Sequence, residues 1–93
     1  MNQWRILVVD DNHLTVTLLS HAIKDLGLVE TASDGEEALS SIRRAPPNLI
    51  LLDAMMPGVG GFEVCAQIKA DPQLAHIPVI FVTGQRDQET EIA

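Results

Sequence analysis

Three carboxylates and a hydroxyl stand where short apolar runs stop. Residues 6–9 end in Asp10 and Asp11, residues 49–52 end in Asp53, and residues 79–82 end in Thr83, followed by Gly84. Carboxylates gathered in one place repel. At neutral pH the cheapest relief is a hard divalent cation such as Mg²⁺, which takes oxygen ligands and keeps some of its waters. Such a cation beside a nucleophilic carboxylate is what phosphoryl transfer onto an Asp requires, with the Thr83 hydroxyl and the N–H groups of Thr83, Gly84 and Ala54 to hold oxygens. Catalysis of that kind is mostly positioning and charge stabilisation. The chemistry needs all of these runs to end on one edge.

The elements between them supply that edge. Leu49-Ile50-Leu51-Leu52, bounded by Pro47 and by Pro57-Gly58, is too short for a helix and suits a strand covered on both faces, as in a parallel sheet. Residues 6–9 and 79–82 read the same way, while residues 28–32, carrying Glu30, read as a weaker strand near a sheet edge. From Asn12 as N-cap, Leu14, Leu18, Leu19, Ala22, Ile23 and Leu26 recur on one helix face, and Gly27 is expected to supply a left-handed stop. Asp34 caps a second helix with Glu37 three residues on; Ala38, Leu39 and Ile42 form its buried stripe, Arg43 and Arg44 its last turn, and Pro46-Pro47 its end. Phe62, Cys65 and Ile68 mark a third helix that stops before Asp71-Pro72. Residues 85–91 read as the start of a fourth. Alternating strands and helices predict an open parallel sheet with right-handed crossovers, whose strand ends bring Asp10, Asp11, Asp53 and Thr83 to one rim.

The bulk properties narrow the function. At 93 residues, 46% of them hydrophobic and 20% charged, the chain is at most one globular domain. A formal charge of −7, with six scattered Lys and Arg, excludes a nucleic-acid or anionic-membrane surface on this segment. One cysteine, Cys65, allows no internal disulfide and fits a cytoplasmic setting. No stretch is long enough to span a membrane.

Several residues carry simpler readings. Asp34 is a cap rather than a ligand, and a strand-end acid such as Asp10 or Asp11, taken singly, serves equally as a helix cap. His13 is read as a solvated first-turn residue, His21 and His76 as surface or packing residues, and Met55 and Met56 as gap-filling apolar side chains.

Taken together, Asp10-Asp11, the run Asp53-x-x-Met56-Pro57-Gly58 with Gly61 behind it, and Thr83-Gly84 after an apolar strand resemble the receiver domain of bacterial two-component response regulators. The match covers essentially the whole chain in order and spacing. The resemblance implies a flavodoxin-like sheet of order 2-1-3-4, the fifth strand and last helix of the family being absent from residues 1–93, which stop early in the fourth helix. It implies that Asp53 is the phosphoacceptor, supplied by a sensor histidine kinase or phosphotransfer protein. Asp11 and Asp53 then ligate Mg²⁺ directly together with the Met55 carbonyl, Asp10 reaches it through water, and Thr83 is the phosphoryl-binding switch.

The departures from the family pattern are specific. The sequence ends before the position of the site lysine that precedes the family's fifth strand, and Gly84 stands where Ala is usual. Met55 and Gln85 occupy positions that influence hydrolysis of the phosphoaspartate, and an apolar Met55 suggests a long-lived mark. The expectation is a phosphorelay module, not a turnover enzyme, that switches an effector domain or protein. Its natural chain is expected to continue past Ala93; were it to end there, a homodimer or a swapped element would cover the apolar strand at residues 79–82. The rivals are a receiver-like scaffold without phosphotransfer and an aspartyl-nucleophile phosphohydrolase. The latter needs an acid two residues after its nucleophile, where this chain has Met55.

Overall fold

Four short strands lie side by side in the order β2-β1-β3-β4, every neighbouring pair parallel. They are β1 (Arg5–Val9), β2 (Leu28–Ala32), β3 (Leu49–Asp53) and β4 (Val79–Val82), joined by the helices α1 (His13–Ile23), α2 (Gly35–Arg44) and α3 (Gly61–Ala70). The structure, a computed structural model, describes residues 4–56 and 58–82. Thr83, Gly84 and the expected fourth helix at residues 85–91 lie outside the described residues. This is the flavodoxin-like order expected, with the switch point between β1 and β3.

The register divides the sheet into two unequal faces. Leu7 and Val9 share one face with Ala32, Ile50 and Leu52; all are buried, and α2 and α3 close over them with Ala38, Leu39, Ile42, Val64 and Ile68. Leu74 and Ile77, on the connection from α3 to β4, complete this core. Ile6 and Val8 point the other way and are fully buried where α1 crosses β1 and β2. On that same face Ile80, paired with Leu51, stays half exposed.

The stripe expected of α2 is the stripe observed, and Asp34 caps it by accepting the Glu37 N–H at 2.7 Å. Glu37 reaches back to the Ser33 N–H at 2.8 Å, one residue earlier than a capping box would place it.

The first helix departs from expectation in three ways. It ends at Ile23 rather than near Leu26, none of its residues is buried, and Leu14, Leu18 and Leu26 are more than 60% exposed. Its apolar spacing is real, but among the described residues it finds only β1 and β2 beneath it. Nor is Gly27 a left-handed stop, since Gly58 is the one described glycine with a positive φ, at 73°. Gly27 is needed for a different reason: a Cβ there would run into the Trp4 carbonyl, which accepts the Leu28 N–H at 2.6 Å as β2 joins β1. In α3, Phe62 lies outside the buried stripe; it is 65% exposed and pairs with Phe81 of β4, ring centroids 4.9 Å apart.

Arg5 fastens the far end of the sheet. Its guanidinium donates to the Ala45 and Pro46 carbonyls, each at 3.1 Å, and to Glu30 at 2.7 Å, tying the exit of α2 to β1 and β2. No described helix is long and apolar enough to cross a membrane.

Candidate phosphoacceptor and metal site

Parallel strands deliver their C-terminal ends together, and here β1 and β3 are direct neighbours, Val9 opposite Leu52. The next residues are the acids. Asp10, Asp11 and Asp53 each place a carboxylate oxygen within 4.8 Å of the others. Three elements of local structure fix this arrangement.

Asp10 continues the ladder to β2, its N–H donating to the Ala32 carbonyl at 3.1 Å, and is only 5% exposed. Its Oδ1 accepts the Asn12 N–H at 2.8 Å, a turn that brings the chain round into α1. Asp11, between them, is exposed. Asp53 is the last residue of β3, and its Oδ1 accepts the Met55 N–H at 3.1 Å. Beyond it the chain turns back tightly: the Gly61 N–H donates to the Ala54 carbonyl at 3.2 Å, and a Cβ on Gly61 would strike the Asp53 carbonyl oxygen and the Ala54 Cα. Only glycine lets α3 start this close to the acid.

The electrostatics follow from the crowding. Burial pushes the Asp53 carboxyl up from its ordinary 3.8 to about 6, the Met55 N–H opposing this and the neighbouring Asp10 and Asp11 carboxylates adding to it. At these separations each ionised pair repels by about 3 kcal/mol at an effective dielectric of about 20. The donor set is therefore all oxygen, anionic and pre-gathered, which fits a hard divalent cation and does not fit a soft one.

The expected site residues divide as follows. Asp10, Asp11 and Asp53 are brought together, with Ala54 and Met55 directly behind Asp53. Thr83 and Gly84 lie outside the described residues, although β4 aims its end at this rim, Val82 being the register partner of Asp53. The Met55 side chain does not fill a gap as expected; it is 70% exposed, whereas Met56 is buried. His13 is exposed, as expected. A cavity of about 390 Å³ opens beside Asp11 between Ser33, Asp34, Gly35, Glu36, Gly58 and Val59, and Asp53 does not line it. Sequence reasoning missed the Asn12 N–H as the group that holds Asp10. The signal was available in the Asp-x-Asn spacing, which favours a side chain accepting from the backbone two residues on.

A family profile described as the response regulator receiver domain matches residues 6–93. The chain belongs to that family. Receiver domains are generally phosphoacceptor modules of two-component signalling rather than enzymes and typically bind Mg²⁺ at an acidic pocket; this chain has a cluster of three Asp residues. This receiver domain is 49% identical over 81 residues to response regulator PleD of Caulobacter vibrioides, covering 86% of this chain and 18% of that protein. It is 38% identical over 91 residues to a probable cyclic di-GMP phosphodiesterase of Vibrio cholerae, covering 98% of this chain and 21% of that protein. The chain thus spans about a fifth of the length of these curated relatives, and the phosphodiesterase name describes a whole protein nearly five times longer. Among solved structures, the receiver matches the phosphorylated cyanobacterial phytochrome response regulator RcpA with a TM-score of 0.86 and 32% identity, over 98% of this chain and 72% of that one.

Proposed function

We propose that Asp53 accepts a phosphoryl group from a sensor histidine kinase or phosphotransfer protein in a Mg²⁺-dependent reaction, and that the phosphorylated domain switches an effector. The observation that carries this reading is the gathering of Asp10 and Asp11 around a strand-end carboxylate whose own proton affinity is raised. The name of the matched RcpA structure records that a receiver of this shape is found phosphorylated. The single cysteine fits a cytoplasmic setting for the exchange.

In the proposed step a carboxylate oxygen of Asp53 forms a bond to phosphorus as the donor's phosphorus–nitrogen bond breaks. The donor imidazole leaves with that electron pair and is protonated. Asp11, Asp53 and the Met55 carbonyl would hold the Mg²⁺, with Asp10 acting through water. Bound there, the ion neutralises the carboxylates and the charge developing on the phosphoryl oxygens. The Met55 N–H holds the plane of the Asp53 carboxylate, so the attacking group is oriented beforehand. The N–H of Ala54 and the hydroxyl and N–H groups of Thr83 and Gly84 would receive the transferred oxygens. Thr83 is the switch in this reading because it follows the strand that pairs with Asp53.

The decisive experiment uses the full-length protein with a small phosphodonor such as acetyl phosphate, and follows phosphorylation by intact mass. Uptake of one phosphoryl group that requires Mg²⁺ and disappears in Asp53→Asn is expected. Equal labelling of Asp53→Asn and the parent would reject Asp53 as the acceptor.

A further inference from the structure

We infer that Asn12 is a positioning residue for the acid cluster, coupling divalent-cation binding to the first turn of α1. The inference rests on the metal-dependent reading above. Asn12 belongs to both structures at once. Its N–H holds Asp10 Oδ1 at 2.8 Å, while its side-chain Oδ1 accepts from the Leu14 N–H at 2.9 Å and the Thr15 N–H at 3.2 Å, and its carbonyl accepts from the Val16 N–H at 3.1 Å. One residue therefore caps the helix with its side chain and orients a nearly buried carboxylate with its backbone.

Among the described residues, little besides the cap holds the first turn of α1. None of its residues is buried, and Leu14, inside the capped turn, is 66% exposed. The extended Asn12 backbone, at φ −91° and ψ 111°, is held by its own side-chain bonds to Leu14 and Thr15. α2 offers the internal contrast. Asp34 caps it in the same manner, but Gly35, Ala38, Leu39 and Ile42 are buried and would anchor the helix without the cap. Asp34 also lies outside the group of acids that can share a cation.

Without the Asn12 cap, the first turn of α1 frays and the 10–12 turn is no longer set. Asp10 must then be ordered by the cation itself, which weakens binding. Linkage makes the effect reciprocal: a cation that needs Asp10 in place stabilises the turn that places it.

The test measures Mg²⁺ affinity by titration calorimetry in the full-length protein, thermal stability in EDTA, and amide hydrogen exchange at Leu14 and Thr15 with and without Mg²⁺. Asn12→Ala is expected to weaken Mg²⁺ binding about three- to tenfold, and Asn12→Ser, which keeps a capping oxygen, to stay within about twofold of the parent. Asp34→Ala is expected to lower the melting temperature while leaving Mg²⁺ affinity unchanged. In the parent, Mg²⁺ is expected to slow exchange at Leu14 and Thr15, a readout that needs no variant. Parental affinity in Asn12→Ala, an equal loss in Asp34→Ala, or Mg²⁺-indifferent exchange at Leu14 and Thr15 overturns the inference and leaves the metal site standing. A parent that binds no Mg²⁺, or an Asp53→Asn variant that binds it as the parent does, overturns the metal-dependent reading and this inference with it.

Discussion

Replacing Asp53 by Asn should stabilise the metal-free domain, and by an amount that depends on pH in a prescribed direction. The folded protein holds the Asp53 proton more tightly than an unfolded chain does, at about 6 against 3.8. A carboxyl moved that far carries a destabilisation of about 3 kcal/mol once ionised, and water at the half-buried group screens this to about 1 to 2 kcal/mol. The penalty is fully present above the folded value, fades as pH falls through about 6, and is gone below 3.8. Asn is nearly isosteric and still accepts the Met55 N–H, so it removes the charge and little else. For a domain of this size the gain corresponds to about 5 to 10 °C in melting temperature at pH 8. Circular-dichroism melts of parent and variant at pH 8, 6 and 4.5 in EDTA read it directly. Saturating Mg²⁺ should then invert the order, because a cation at about 100 times its Kd contributes about 2.7 kcal/mol to the parent and less to the variant. A variant that melts at or below the parent at pH 8 in EDTA, or a difference that does not shrink on acidification, would refute the account of Asp53 as a carboxylate strained by burial and by its acidic neighbours.

Three further perturbations probe the frame around the site. Gly61→Ala forces a methyl group against the Asp53 carbonyl and should cost about 3 kcal/mol or more in chemical denaturation while weakening Mg²⁺ binding, so a parental Kd would count against the close approach. Arg5→Lys should lose about 1 kcal/mol and Arg5→Met about 1 to 2, because a single ammonium cannot serve the Ala45 and Pro46 carbonyls and Glu30 together; urea melts in which Lys matches Arg would contradict that. Ile68→Ala, emptying a fully buried position under the sheet, should cost about 2 to 5 kcal/mol, and a loss below about 1 kcal/mol would contradict its place in the core.

The sheet and two of its helices were legible because their signals are local. Three of the four strands carry an unbroken apolar run that leads straight into a predicted site residue, so the rim followed once the connections were taken as parallel crossovers, while the strand order came from the resemblance to the receiver family and β2, with Glu30 and Thr31, gave the weakest signal. The α2 stripe of Ala38, Leu39 and Ile42 is equally local, since α3 and the sheet both lie against it. The exposure of α1 was not legible. Periodicity says which side of a helix is apolar, not how much of that side meets a neighbour, and Leu14 and Leu18 present the same spacing whether covered or bare. Gly27 was misread for a related reason: its constraint comes from Trp4, a contact between segments far apart in the chain. The convergence of Asp10, Asp11 and Asp53 was foreseeable from topology, but the displaced proton affinity of Asp53 required knowing how close and how dry the carboxylates are.

The strand order bears also on how the chain comes off the ribosome. β1 is made first yet sits inside the sheet, registered against Leu28 on one side and Leu49 on the other. No two neighbouring strands form a hairpin, so each pairing waits for a complete helical crossover to be synthesised. Residues 6–9, among the most apolar of the chain, therefore emerge with one edge unpaired until β3 follows some forty residues later. At about 5 to 20 residues per second this is an interval of seconds, long enough for a chaperone to bind. The Asp10-Asp11 pair that meets Asp53 in the finished fold stands at the end of that unpaired strand, where acidic residues oppose edge-to-edge pairing between copies of a nascent chain.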